Sequence, residues 1–133
     1  MLAAAVELAR YPALAGAPLH GSARSVTCGS TLDLDLCADA AGAITELGLR
    51  VRACAVGQAS AAIFARHAAG QSLGEIAAMY AAMQAWLESD GPQPDWPDIS
   101  LIAPARDFRG RHGAMLLPWK AAVEALSSLP SPR

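Results

Sequence analysis

Three things are scarce in this sequence, and each scarcity excludes a class of answer. Charge is scarce: 17% of residues are charged and the formal net charge is −2, which gives no electrostatic case for nucleic acid or an anionic membrane as partner. Long apolar runs are missing, and none approaches the roughly 18 to 20 residues that a membrane span needs. Cysteine is limited to three residues, an odd number without close spacing, which argues against a disulfide framework and for a reducing cytoplasm as the setting. A basic leader is also missing: the opening MLAAAVELARY carries Glu7 and reads as an amphipathic helix, not a signal peptide.

Apolar residues are plentiful, at 53% of the 133 positions. That is enough to bury a core, and the length suits a single domain over 1–133. Much of the apolar content is alanine, so helices should pack closely through small side chains.

Leu2, Val6 and Ala9 recur at helical spacing, and Pro12 ends that helix. The Pro- and Gly-rich YPALAGAPLHGSA reads as a loop, so residues 1–24 form an N-terminal helix and loop. From Thr31 to Cys37 the pattern alternates, with Leu32, Leu34 and Leu36 on one face and Asp33 and Asp35 on the other. ADAAG makes a turn. The return strand runs from Ile44 to Ala53, with Leu47, Leu49 and Val51 inward and Arg50 and Arg52 outward. Beyond Cys54, AVGQASAAIFARHAAG reads as a helix ended by Gly70. Ser72 and Glu75 form a capping box for the next helix, which runs to about Ser89 and buries Ile76, Met79, Tyr80, Met83 and Leu87. ISLIAPA reads as a short third strand or an extended passage, and RDFRGRHGAM as a basic loop. A last helix spans Pro118 to about Leu126 with proline in its first turn, and 127–133 read as a mobile tail.

The central hairpin can be registered from its faces. Matching the leucines and setting Asp33 opposite Arg50 pairs positions whose numbers sum to about 83. Cys28 then lies across from Ala55, and Cys54 across from Gly29. Both thiols reach the open end of one hairpin, provided the strand bends or stops near Gly29. Cys37 lies nine residues from Cys28, roughly 30 Å along an extended strand, and stays apart. Cys54 immediately precedes a helix, whose unpaired amides and dipole favour a thiolate. Paired thiolates suit soft metals and iron–sulfur units, although two non-adjacent cysteines in an alanine-rich chain, taken alone, are more often buried packing residues.

Three segments carry a resemblance. TCGSTLDLDLCADAAGAI, RACAVGQASAAIFARHAAG and PARDFRGRHGAMLLPWKAAVEAL occur in the order and spacing seen in the IscU/SufU/NifU N-terminal family of iron–sulfur cluster assembly scaffolds, and about a hundred residues resemble it. The resemblance implies an α+β fold: a small three-stranded antiparallel sheet with helices packed on one side. It implies a non-enzymatic role, receiving sulfur from a cysteine desulfurase and holding a labile Fe–S cluster or zinc for delivery to acceptor proteins. Cys28 and Cys54 match the family's first two cysteines, and His112 a histidine that some members carry before the third. Two positions depart from the pattern: Ser30 stands where the family has aspartate, and Gly113 where it has the third cysteine. A metal would then rest on Cys28, Cys54 and His112, with Ser30 and Gly113 lining the cofactor site. Changing Gly113→Cys with Ser30→Asp should restore a closed ligand set. The motif Leu-Pro-Pro-Val-Lys, which some members use for their chaperone, is replaced by IAPARDFRGR.

Two other readings follow from the same residues. The fold without its metal would be an interaction module that binds a desulfurase or another scaffold. A thiol enzyme would use Cys28 or Cys54 as nucleophile and His112 as base, but no orienting residue is evident. His67 and His20 read as surface residues, Cys37 as incidental, and Trp86, Trp96 and Trp119 as core or loop anchors. Arg106, Arg109 and Arg111 read as a solvated loop able to dock an acidic partner.

Overall fold

The computed structural model describes residues 2 to 129. Its elements run α1 (Leu2–Leu8), β1 (Leu19–Arg24), β2 (Thr31–Ala38), β3 (Ile44–Arg52), α2 (Ala55–His67), α3 (Leu73–Glu88) and α4 (His112–Leu126), with 3₁₀ turns at Ile99–Leu101, Ala103–Asp107 and Arg109–Arg111. The three strands form one antiparallel sheet in the order β1-β2-β3.

The β2–β3 register is the one the faces dictate: Asp33 pairs with Arg50, and the ladder holds from Thr31↔Arg52 to Cys37↔Glu46. A bulge between Cys37 and Ala38 then slips it by one. Leu32, Leu34 and Leu36 are fully buried on the inner face, where α4 and α2 cover the sheet. Phe64 of α2 anchors this core, stacked on Trp96 and edge-on to Trp119, with centroids 5.6 and 5.7 Å away. The Ser72–Glu75 capping box starts α3 as expected, with Ile76, Met83, Trp86 and Leu87 buried along the helix.

Three expectations need correction. The third strand is not ISLIAPA, which coils into 3₁₀ turns on either side of Ile102. It is β1, within the stretch read as a loop, and its alternation Leu19, Gly21, Ala23 was hidden by small residues. Gly21 is required there, because a Cβ would run into the Ala121 carbonyl of α4; strand and helix meet backbone to backbone. The last helix begins at His112, so Pro118 lies inside it and not in its first turn. Of the expected tail, Ser127 to Leu129 continue as a hydrogen-bonded turn, and residues 130–133 lie outside the described residues.

The outer face of the sheet is not simply solvated. Tyr11 O accepts from the Leu49 amide on the free rim of β3. The chain then crosses onto the face, where the Leu14 amide donates to Asp35 Oδ2 at 3.0 Å. Asp35, 2% exposed, also receives Arg50 Nη1 at 2.9 Å and contacts His20 Nδ1 at 2.8 Å. Burial pushes its carboxyl up, yet the hydrogen bonds from Arg50, His20 and Leu14 outweigh that and leave it lowered. Further along the same rim, Ile44 bonds through its amide to Gln71 O and through its carbonyl to the Gly70 amide.

Candidate functional site

Cys28 lies in the six-residue loop that joins β1 to β2. Two backbone bonds close that loop, Ser25 N–H to Ser30 O at 2.8 Å and Gly29 N–H to Ser25 O at 2.9 Å. Gly29 takes φ +70°, which lets the chain double back. Ser25 and Ser30 point inward and are 2% and 4% exposed; the Cys28 sulfur rests between their hydroxyls, 3.3 and 3.0 Å away. Cys28 itself is exposed. Hydrogen bonding from Ser25, then from the Ser30 hydroxyl and amide, lowers its thiol from 9.0 to about 7, with the Arg111 charge adding to the effect.

Cys54 follows the last residues of β3 and is the N-cap of α2. Burial raises its thiol, but the Gly57 amide, the Arg111 side chain and the Val56 amide outweigh burial and leave it lowered. Both cysteines therefore stand at the end of the sheet where β2 begins and β3 ends. The hairpin register had placed them there. Arg111 lines the same groove as Cys54, and its charge favours the thiolate of both cysteines. Beside Cys54 opens a largely apolar groove of about 520 Å³ walled by Val56, Pro104, Ala105 and Phe108, with Arg111 at its edge; Phe108 is 64% exposed. Cys37 lies at the opposite end of β2.

His112 opens α4, and its Nε2 contacts Arg106 O at 2.6 Å. A carbonyl only accepts, so this nitrogen carries the proton and ligation would fall to Nδ1. Among the described residues no group of three or more His, Cys, Asp or Glu side chains is placed to hold a metal ion; the geometry does not assemble Cys28, Cys54 and His112 as a closed trio. Ser30 is in place, but as the support of Cys28 rather than as a free ligand. Gly113 packs directly on Ser25.

Sequence reasoning missed two participants. Ser25 could be singled out only once β1 was known to lead into the Cys28 loop. Arg111 was grouped with Arg106 and Arg109, but Arg106 binds Trp86 O and Asp90, while Arg111 lines the groove beside Cys54 and its charge favours both thiolates. His67 and His20 do not reach the cysteines; they meet Asp98 and Asp35.

No family model and no curated protein matches the chain. A solved structure does: the N-terminal part of a nitrogen-fixing NifU-like protein from Brucella abortus is 32% identical, covers 89% of this chain and 83% of its own, and superposes with a TM-score of 0.82. The chain belongs to the NifU-like family. Two further structures share the fold of this NifU-like chain at lower identity. A proposed iron–sulfur cluster assembly scaffold of the SUF system from Fervidobacterium islandicum is 20% identical, covering 87% of this chain and 85% of its own, with TM-score 0.77. A hypothetical protein is 19% identical over 95% and 98%, with TM-score 0.68. The expected α+β fold and family resemblance are thereby borne out. No helix among the described residues is long and apolar enough to cross a membrane.

Proposed function

We propose that this NifU-like chain works in iron–sulfur cluster assembly in the cytoplasm as a carrier and not as a turnover enzyme. The observation that carries this reading is the placement of two free thiols, Cys28 and Cys54, at one end of the sheet, both held below the ordinary thiol range. Ionised thiolates are what a soft metal or a sulfur donor requires. Sulfur would come from a cysteine desulfurase: the Cys28 thiolate attacks the outer sulfur of the donor's persulfide, that S–S bond breaks, and the donor leaves as a thiolate while Cys28 becomes the persulfide. Iron, zinc or a nascent cluster is the cargo, to be passed to acceptor proteins. Two thiolates and the His112 Nδ1 are too few to close a tetrahedral cluster site, so the cargo would be labile or would borrow a ligand from outside the chain.

Anaerobic reconstitution with iron and sulfide tests this. The wild type should acquire sulfide-to-iron absorption and bound iron, Cys28→Ala and Cys54→Ala should lose both, and Cys37→Ala should retain them. A wild type that gains no iron and accepts no persulfide sulfur refutes the carrier reading. The absence of a three-ligand group among the described residues favours one second reading, a metal-free module that docks on a desulfurase. That reading requires capture of the desulfurase to survive loss of both cysteines.

A further inference from the structure

Ser25, the buried side chain beneath Cys28, does more than acidify that thiol. Its hydroxyl lies 3.3 Å from the Cys28 sulfur. On its other side is Gly113, in the first turn of α4. A Cβ placed on Gly113 would stand 2.5 Å from Ser25 Oγ and 3.1 Å from Ser25 Cβ. Turning the hydroxyl aside would relieve the first contact and give up its bond to Cys28, and the second would persist. The helix has no room to retreat, because Ala114 and Met115 directly behind are fully buried in the core. The piece that must yield is the loop that carries Cys28.

We infer that Ser25 sets the number of ligands in this site: it fills the space between Cys28 and α4 from which a third protein donor at position 113 would reach a metal. The inference rests on the carrier reading and deepens it. Ser25 is a positioning residue, and its effect is to leave the remaining corners of the cargo to soft donors from outside the chain, such as sulfide, a small thiol or a partner's cysteine. Replacing Gly113 and Ser30 alone is then insufficient to restore a closed site, because the side chain at 113 has nowhere to go until Ser25 is removed.

The experiment compares wild type, Ser25→Gly, Gly113→Cys and the double variant, each titrated with cobalt(II) without air and melted without metal. Thiolate-to-cobalt absorption counts sulfur ligands. Three thiolates in place of two should raise it about one and a half times per bound ion in the double variant. Affinity should tighten on the order of tenfold, the scale on which changes around a metal site act. Gly113→Cys alone should melt below wild type and gain no third thiolate, and adding Ser25→Gly should recover the melting temperature. If Gly113→Cys alone does not fold, recovery of a folded protein by Ser25→Gly is the same result in stronger form. The inference is overturned if Gly113→Cys alone matches the double variant in absorption and melting, or if the double variant gains no thiolate ligand. A wild type that fails iron–sulfide reconstitution, beside a double variant that takes cobalt through three sulfurs, would instead remove the carrier reading and keep Ser25's role.

Discussion

Replacing Ser25 and Ser30 together by alanine removes both hydroxyls that hold the Cys28 sulfur. The loop should survive, because the bonds that close it are between backbone atoms. In the intact protein the Cys28 thiol ionises at about 7 instead of 9.0. At pH 7 about half of it is thiolate, against about one per cent for an ordinary thiol of that higher value. A more acidic thiolate is also a weaker nucleophile, and with a Brønsted slope near 0.45 this difference costs about eightfold. Attack on a small aromatic disulfide at pH 7 should therefore be up to about sixfold faster in wild type than in the double-alanine variant. The pH midpoint should climb from about 7 most of the way to 9.0, the Arg111 charge and the Ser30 amide retaining the rest. The assay is the pH–rate profile of Cys28 modification, followed by mass spectrometry so that Cys37 and Cys54 are counted separately. A wild-type midpoint near that of an unperturbed thiol, or a midpoint unmoved by the two alanines, would refute the assignment of Cys28's acidity to the serine pair.

Asp35→Ala should cost about 2–3 kcal/mol in urea unfolding, since it strands the Leu14 amide and the half-exposed Arg50. The acid side has a defined sign. The folded Asp35 carboxyl lies below its ordinary 3.8, so its contribution is full at neutral pH and fades as pH falls through that range; the urea midpoint of wild type should drop more steeply on acidification than that of Asp35→Asn. Gly21→Ala should destabilise by about 3 kcal/mol or prevent folding, because neither the β1 backbone nor the α4 carbonyl can give way; a soluble variant with unchanged melting would sink that reading. Arg111→Gln should raise the ionisation midpoint of Cys54, measured by alkylation against pH, while leaving the fold intact.

Much of this molecule was legible wherever a strand buries one face and wets the other. The β2–β3 register followed from three leucines and one Asp–Arg pair, because a slip of one residue would turn every leucine outward. The capping box of α3 was legible because it is local chemistry. β1 was not, since its inward positions include glycine and alanine, chosen for a close approach by α4 that no local pattern announces. The start of α4 was lost for a related reason: Pro118 looked like a first-turn residue, yet the helix tolerates it six positions in, amid a wholly buried stretch. At the site, the placement of Cys28 and Cys54 at one end of the sheet was readable from register alone. The serine pair and Arg111 were not, because their contacts depend on a hairpin loop and a helix start brought together only by the tertiary fold.

Along the rim of β3, backbone groups that a visiting peptide would need are already engaged by Tyr11, Gly70 and Gln71. A partner that recruits by lengthening the sheet would have to peel off the N-terminal segment and compete with the link between α2 and α3. Strand addition is thereby discouraged on that side, and a visitor is steered to the far side of the sheet or to the end where the two sulfurs stand.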